Sequence, residues 1–436
     1  MDPKTDSKTV RAKHKEYMLP AVANYYEESV VLQEGKGSRV KDLDGKSYLD
    51  FFGGILTVSL GHSHDGVNAA VAAQLQRLSH VSTLYPTVPI VELAEKLVSV
   101  APGKLRKAFF SASGTEADET AVMLAQVHTG NQELIALRHG YSGRSLLALS
   151  LVGHGNYRAV PSQVAAVRHA MSPYCYRCPL KLEPGTCGTA CAKDLDELIR
   201  TTTTGRIAGM LAEPIQGVGG FITPPKEYFE IAAEIVRKYG GVMIIDEVQT
   251  GFGRTGKMWG SQQYNVEPDI MTMAKGIANG LPLGATLCTP AVADSFRSST
   301  ISTFGGNPLS CAAANVVLDE IQQKNLVENA ARRGEELRDG LVRLQRKHPK
   351  TIGDVRGMGL MQALELVVDE TIKDRTPNPR ATLQLFEETK KRGLLIGKGG
   401  LYGNTIRIAP ALNITAAEIQ EGLKSLEDSF AAMGVA

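Results

Sequence analysis

The chain has 436 residues, 43% of them hydrophobic, and carries 48 Lys plus Arg against 46 Asp plus Glu, a net charge of +2. That length exceeds one typical domain of roughly 100–200 residues, so two domains are expected, and the near-neutral balance leaves no excess of cations to hold a nucleic-acid backbone. No apolar run reaches the roughly 18 residues of a spanning helix, and the polar start MDPKTDSKTVRAKHKEY lacks a secretory apolar segment, so a cytoplasmic protein with no membrane or nucleic-acid partner is expected.

Within 1–60, KDLDGKSYLDFFGG places a D-G turn between apolar runs and predicts a hairpin, expected to pack with the C-terminal part. From 61 to 323 the pattern alternates. LIALRH (134–139), SLLALSL (145–151), IAGMLAEPI (207–215), GVMIIDEVQ (241–249) and GATLCTP (284–290) read as strands. The stretches 88–100, 226–240 and 307–323 each keep one apolar face and read as helices. Alternation of this kind implies an α/β domain with a mostly parallel sheet flanked by helices. From 324 to 436 a charged helix, two short strands (GLMQALELV and TIRIAPA) and a last amphipathic helix from Ala416 mark a smaller α+β domain.

Three segments of the large part can carry chemistry. FFSASGTEADETAVMLAQ (109–126) runs small and hydroxyl residues straight into a helix, so Ser113, Gly114 and Thr115 can offer N–H groups and hydroxyls to a phosphate. An ordinary N-cap looks the same. In GVMIIDEVQTGFGRTG (241–256), Asp246 ends an apolar strand, where ligands of open α/β sheets bind and where a buried carboxylate needs a cationic partner. In PDIMTMAKGIANG (268–280), Lys275 follows another strand-like run, and a desolvated amine there suits imine formation. Alone, Asp246 would read as a turn cap and Lys275 as a snorkelling surface residue; in this order they read as one site. Tyr141, in RHGYSGRS, can stack on a planar heterocycle, while Arg144 and Arg407 have the fork that grips a carboxylate. Phe52, Ile55 and Tyr85 are candidates for the pocket wall, with core packing the alternative. Cys175, Cys178, Cys187 and Cys191 read C-x2-C-x8-C-x3-C, which leaves zinc, disulfides and free thiols open; any metal would be structural, and the catalytic site is expected to use none.

The ordered set YLDFFGGILTVSLGHSH, SGTEA, EPIQG, IIDEVQTGFGRTG, MAKGI, STFGGNP and RIAP resembles the class III (omega) aminotransferases over nearly the whole chain. Within them it is most similar to alanine:glyoxylate aminotransferases of the β-amino-acid-using type and to 4-aminobutyrate aminotransferases. The resemblance implies pyridoxal 5′-phosphate (PLP) as cofactor, PLP fold type I, a homodimer with shared sites and possibly a tetramer. It makes Lys275 the lysine that bonds the cofactor and Asp246 the partner of its ring nitrogen. Val248 would back the ring, Tyr141 stack on it and Gln249 bond its hydroxyl, with Ser113, Gly114 and Thr115 forming the phosphate cup. Thr303 would reach the phosphate across the dimer. Arg407 would bind the α-carboxylate, Glu213 neutralise Arg407 when another substrate is bound, and Arg144 hold a distal carboxylate. Ser142 stands where many relatives have His. The implied reaction moves an amino group from an omega-amino acid or amine to a 2-keto acid by a ping-pong mechanism. The alternatives are a 2,2-dialkylglycine decarboxylase or aminomutase on the same fold, or a metal-binding module built on the four cysteines.

Overall fold

The structure, a computed structural model, describes residues 6–434. Near the N-terminus β1 (Leu32–Lys36), β2 (Arg39–Asp42) and β3 (Ser47–Asp50) form an antiparallel meander, with the expected D-G turn between β2 and β3. The main sheet follows as β4 (Lys107–Ser111), β5 (Leu134–Leu137), β6 (Val167–Ala170), β7 (Gly209–Ala212), β8 (Val242–Asp246), β9 (Ile270–Met273) and β10 (Gly284–Cys288). Its order is β4-β10-β9-β8-β7-β5-β6, parallel from β9 to β6, with β10 antiparallel to both its neighbours. The residues of β5, β7, β8, β9 and β10 are buried throughout. Strands covered on both faces need such unbroken apolar runs, which is why they are legible as strands.

One expected strand is a helix. Leu146–Leu151 is α-helical, capped by the Ser145 hydroxyl, which accepts from the Ala148 N–H. The run is Leu- and Ala-rich without β-branching, and its serine supplies a helix start, so helix propensity and capping prevail over apolar content.

The C-terminal part adds β11 (Ile352–Met358), β12 (Met361–Asp369), β13 (Asp374–Pro377), β14 (Leu394–Leu395), β15 (Gly397–Gly399) and β16 (Thr405–Ile408). Strands β11, β12, β16 and β15 form an antiparallel sheet, with β13 on β12. The helices Leu326–Lys347, Pro379–Lys391 and Ala416–Ala432 pack on these strands and on one another. The two chain ends meet where β14 pairs in parallel with β3. Phe51, just after β3, is fully buried, and a Cβ on Gly422 of the last helix would stand 2.0 Å from its ring. Glycine there lets the helix close over the N-terminal segment. One apolar cluster runs from Leu49 and Phe51 through Met271 and Met273 to Leu426 and Phe430, so the C-terminal part shares its core with the large sheet.

Candidate active site

The carboxyl ends of β7, β8 and β9 open on a cavity of about 300 Å³. Asp246 closes β8 and is 4% exposed. Its Oδ1 accepts the N–H of Val248 at 2.8 Å. The neighbouring Glu247 is occupied elsewhere, accepting the N–H groups of Gly260 at 2.9 Å and Ser261 at 2.8 Å. Of these two adjacent acids, one carboxylate therefore faces the cavity and the other pins the following loop.

Lys275 opens the turn Lys275–Ala278 directly after β9, with φ of 45°. A non-glycine residue in that left-handed region is held there by its surroundings, a feature common at functional sites. A Cβ on Gly276 would stand 2.7 Å from Ser59 Oγ, so glycine lets the turn pass under the N-terminal segment. Burial lowers the Lys275 amine below its ordinary value, against the opposing pull of Asp246 and Glu213. The acids respond the other way: burial, reinforced by Asp246, pushes Glu213 up to about 8, and burial pushes Asp246 up to about 6. Asp246 is thus the readier of the two to carry charge at neutral pH.

The helix Gly114–Thr129 points its first turn at the same cavity, with Ser113 as N-cap accepting from Glu116 N–H. Glu213, after β7, accepts the Tyr141 N–H at 3.0 Å and the Gly217 N–H at 2.7 Å, so it fixes the turn that carries the tyrosine ring. Tyr141 is half-buried and meets Tyr157 edge to face at 5.3 Å. Gln249 lines the cavity with a buried side-chain oxygen that has no partner among the described residues, and a Cβ on Gly217 would lie 2.3 Å from its amide. An orphaned buried acceptor beside a buried amine, a strand-end carboxylate and a helix N-terminus matches the donor set that PLP requires.

Ser113, Gly114, Thr115, Tyr141, Glu213, Asp246, Val248, Gln249 and Lys275 all line this one cavity. Four expected site residues do not. Arg407, 2% exposed on β16, is sandwiched between Phe52 at 4.8 Å and Phe221 at 5.6 Å, with its bonds going to the carbonyls of Lys398 at 2.9 Å and Gly217 at 3.3 Å. It is not paired with Glu213, whose carboxylate is taken by backbone N–H groups. Arg144 is exposed on the turn before the helix Leu146–Leu151. Ile55, 45% exposed with φ of 66°, turns outward, and Thr57 takes the lining position. Thr303 is exposed beside Phe304, away from its own chain's cavity. Of the other wall candidates, Phe52 sits against Arg407 and Tyr85 is 66% exposed.

The cavity also has a member that reading the sequence missed. Asp118, one helical turn after Gly114, lines it and is 2% exposed. Its spacing of four from Gly114 was the available signal.

The four loop cysteines come together around a small cavity of about 20 Å³, all half-buried and all free thiols. Among the described residues no group of three or more His, Cys, Asp or Glu is placed to hold a metal, and no helix is long and apolar enough to cross a membrane.

Comparison with known proteins agrees with this geometry. The family model described as "Aminotransferase class-III" matches residues 21–430. The mitochondrial alanine–glyoxylate aminotransferase 2 homolog 2 of Arabidopsis thaliana is 42% identical over 425 residues, covering 97% of this chain and 87% of the relative. The 5-aminovalerate aminotransferase of Pseudomonas putida is 35% identical over 408 residues, covering 92% of this chain and 93% of that one. The PLP-bound crystal structure of an amine transaminase from an uncultivated Pseudomonas species superposes with a TM-score of 0.88 at 34% identity, covering 95% of this chain and 98% of that chain. With nearly its whole length matched in sequence and in fold, the chain belongs to the class-III aminotransferases, a PLP-dependent family of fold type I.

Proposed function

We propose that the protein moves an amino group from an omega-amino acid or amine, of the 4-aminobutyrate, β-alanine or 3-aminoisobutyrate type, to pyruvate, glyoxylate or 2-oxoglutarate in two successive half-reactions at one site. The observation that carries this reading is the single cavity whose wall holds Lys275, Asp246, Glu213, Tyr141 and the helix start at 113–115. Lys275 would hold the cofactor through Nζ, and Asp246 would keep the ring nitrogen protonated. Val248 and Tyr141 would bracket the ring, Gln249 bond its hydroxyl, and Ser113, Gly114 and Thr115 take the phosphate. When bound, PLP supplies the electron sink for the substrate carbanion. Lys275 Nζ would take the proton from the substrate carbon as a base and return it as an acid on the other side of the transfer.

The arginines support the substrate class. Arg407 hydrogen-bonds to carbonyls rather than to a carboxylate, so its charge stays available for the carboxylate that every keto acid brings. Glu213 is the nearby acid that can balance it when a substrate lacks that group. Arg144, on its exposed turn, is the candidate for a distal carboxylate. Exposed apolar side chains at Leu84, Tyr85, Val88, Ile301 and Phe304 support a homodimer in which Thr303 of a second copy reaches the phosphate. The test is a spectral half-reaction on loaded enzyme that is dimeric by light scattering. At least one of the three donors should bleach the yellow form and a keto acid should restore it. Inertness to all three donors, or a catalytically competent monomer, would overturn the respective part of the reading.

A further inference from the structure

The cavity floor holds more acid than one lysine can balance. Asp118 faces three charged groups from the elements packed against its helix: Asp246 at the end of β8, Glu213 after β7 and Lys275 after β9. Its carboxyl is met by a hydroxyl: Thr272 Oγ1 on β9 lies 2.7 Å from Asp118 Oδ1. Thr272 is also the register partner of Asp246 across β8 and β9 and of Thr286 across β9 and β10. The Thr286 hydroxyl reaches the same helix, donating to Ala117 O at 2.9 Å. Two adjacent threonines thus latch the helix Gly114–Thr129 to β9, which leads into Lys275, and to β10. Asp118 lies one turn behind Gly114 on the same helical face, so a negative charge on it would oppose any anion held at that helix start.

We propose that Asp118 works as an uncharged carboxylic acid: a positioning residue that ties β9 to the phosphate-facing helix through Thr272 and leaves the negative charge of the floor to Asp246. The assignment rests on the proposed roles of Asp246 and the helix start, but its main test needs no cofactor. Burial, and then the charge of Asp246, push Asp118 well above the ordinary aspartate value. In the unfolded chain it ionises near that ordinary value. Between the two values the unfolded state binds fewer protons, so Asp118 lowers stability progressively as pH rises and has no such effect where both states are protonated.

Asp118→Asn keeps an oxygen for Thr272 and has nothing to ionise. The unfolding midpoint of the Asp118→Asn apoprotein, taken relative to wild type, should therefore rise between about pH 5 and about pH 8. Asp118→Ala, which loses the latch, should fall below Asp118→Asn at every pH. In loaded protein, the pH midpoint of the visible absorbance should be the same in Asp118→Asn as in wild type. A flat or falling Asp118→Asn difference would overturn the proposal, as would its failure to fold, or a downward shift of the visible midpoint showing that a nearby negative charge had been removed. Each result can arise whether or not the donors tested above react, so the two readings fail separately.

Discussion

Glu365 on β12 and the acids around Lys275 are hidden from water alike, yet their charges are managed in opposite ways. Glu365 accepts from Arg356 Nη1 at 2.7 Å and also from Arg177 and the Tyr174 hydroxyl. Burial alone would raise it, but the two guanidinium groups outweigh burial and hold it below its ordinary value. Asp246 and Glu213 share one amine, and burial keeps both above theirs. A closed network, with its guanidinium charges answered by Glu365 and Asp354 and Arg177 Nη2 alone of its buried atoms left without a partner among the described residues, clamps the loop carrying Tyr174 and Arg177 to β12. An open one, with acid in excess and an orphaned Gln249 oxygen, is arranged for a ligand that brings its own charges. Burial of charge by itself therefore does not mark a site; incomplete compensation around a cavity does.

The sharpest way to break that distinction is to remove the amine on which the open network converges. Lys275→Ala should lower transamination by at least about 10²–10⁴-fold, since it removes both the covalent anchor and the proton carrier. It should also abolish the covalent yellow chromophore in absorbance spectra. Turnover near wild type would show that the cavity is not the reaction site.

The next test sets the two networks against each other. Glu365→Gln removes the carboxylate shared by the half-buried Arg177 and the buried Arg356, which keeps only Asp354, and should cost up to about 3–5 kcal/mol in denaturant unfolding at neutral pH. In wild type the stabilisation from Glu365 is present above the ordinary glutamate range and disappears as pH falls through its lowered folded value. Asp246→Asn should do the reverse: the apoprotein should be about as stable as wild type or more so, because an acid held above its ordinary value weakens the fold as pH rises. Loaded enzyme should nevertheless lose about 10²-fold in rate, the scale of removing one well-placed electrostatic group. A stable Glu365→Gln together with an unfolded Asp246→Asn would invert the comparison.

The open network was largely legible in the sequence, because its parts sit at the ends of strands whose apolar runs are unbroken: Asp246 after β8, Lys275 after β9, and Ser113–Gly114–Thr115 at a helix start. Asp118 was hidden because, in EADET, a buried acid looks like its solvent-facing neighbours, and only helical phase relative to Gly114 separates them. Arg144 and Thr303 lie off this cavity, and their place in a motif does not encode which side of a turn faces it. Glu365 lies in a strand buried along most of its length, and its partners, Arg177 and Arg356, come from 188 and nine residues away, contacts that local pattern does not encode. Leu146–Leu151 was misread because six residues, five of them apolar, are too few to show a period, and only the Ser145 cap distinguished helix from strand.

The four-cysteine loop is where the comparison predicts the smallest effect. It has a cluster of ionisable groups and a cavity, as the open network does, but no cation is among the groups that act on Cys175 and Cys191. Burial, and then the other three cysteines, push Cys191 up to about 11, so almost none of it is thiolate at neutral pH. The loop is already held by Arg177 and Tyr174 on Glu365. Cys191→Ser should change the transamination rate by less than about twofold, since packing and not nucleophilicity sets the worth of a protonated buried thiol. Neither a chelator nor a reductant should move the unfolding midpoint of wild type. A drop with chelator would mean that the thiolates are answered by a metal, and the loop would then join Glu365 as a closed, charge-compensated network.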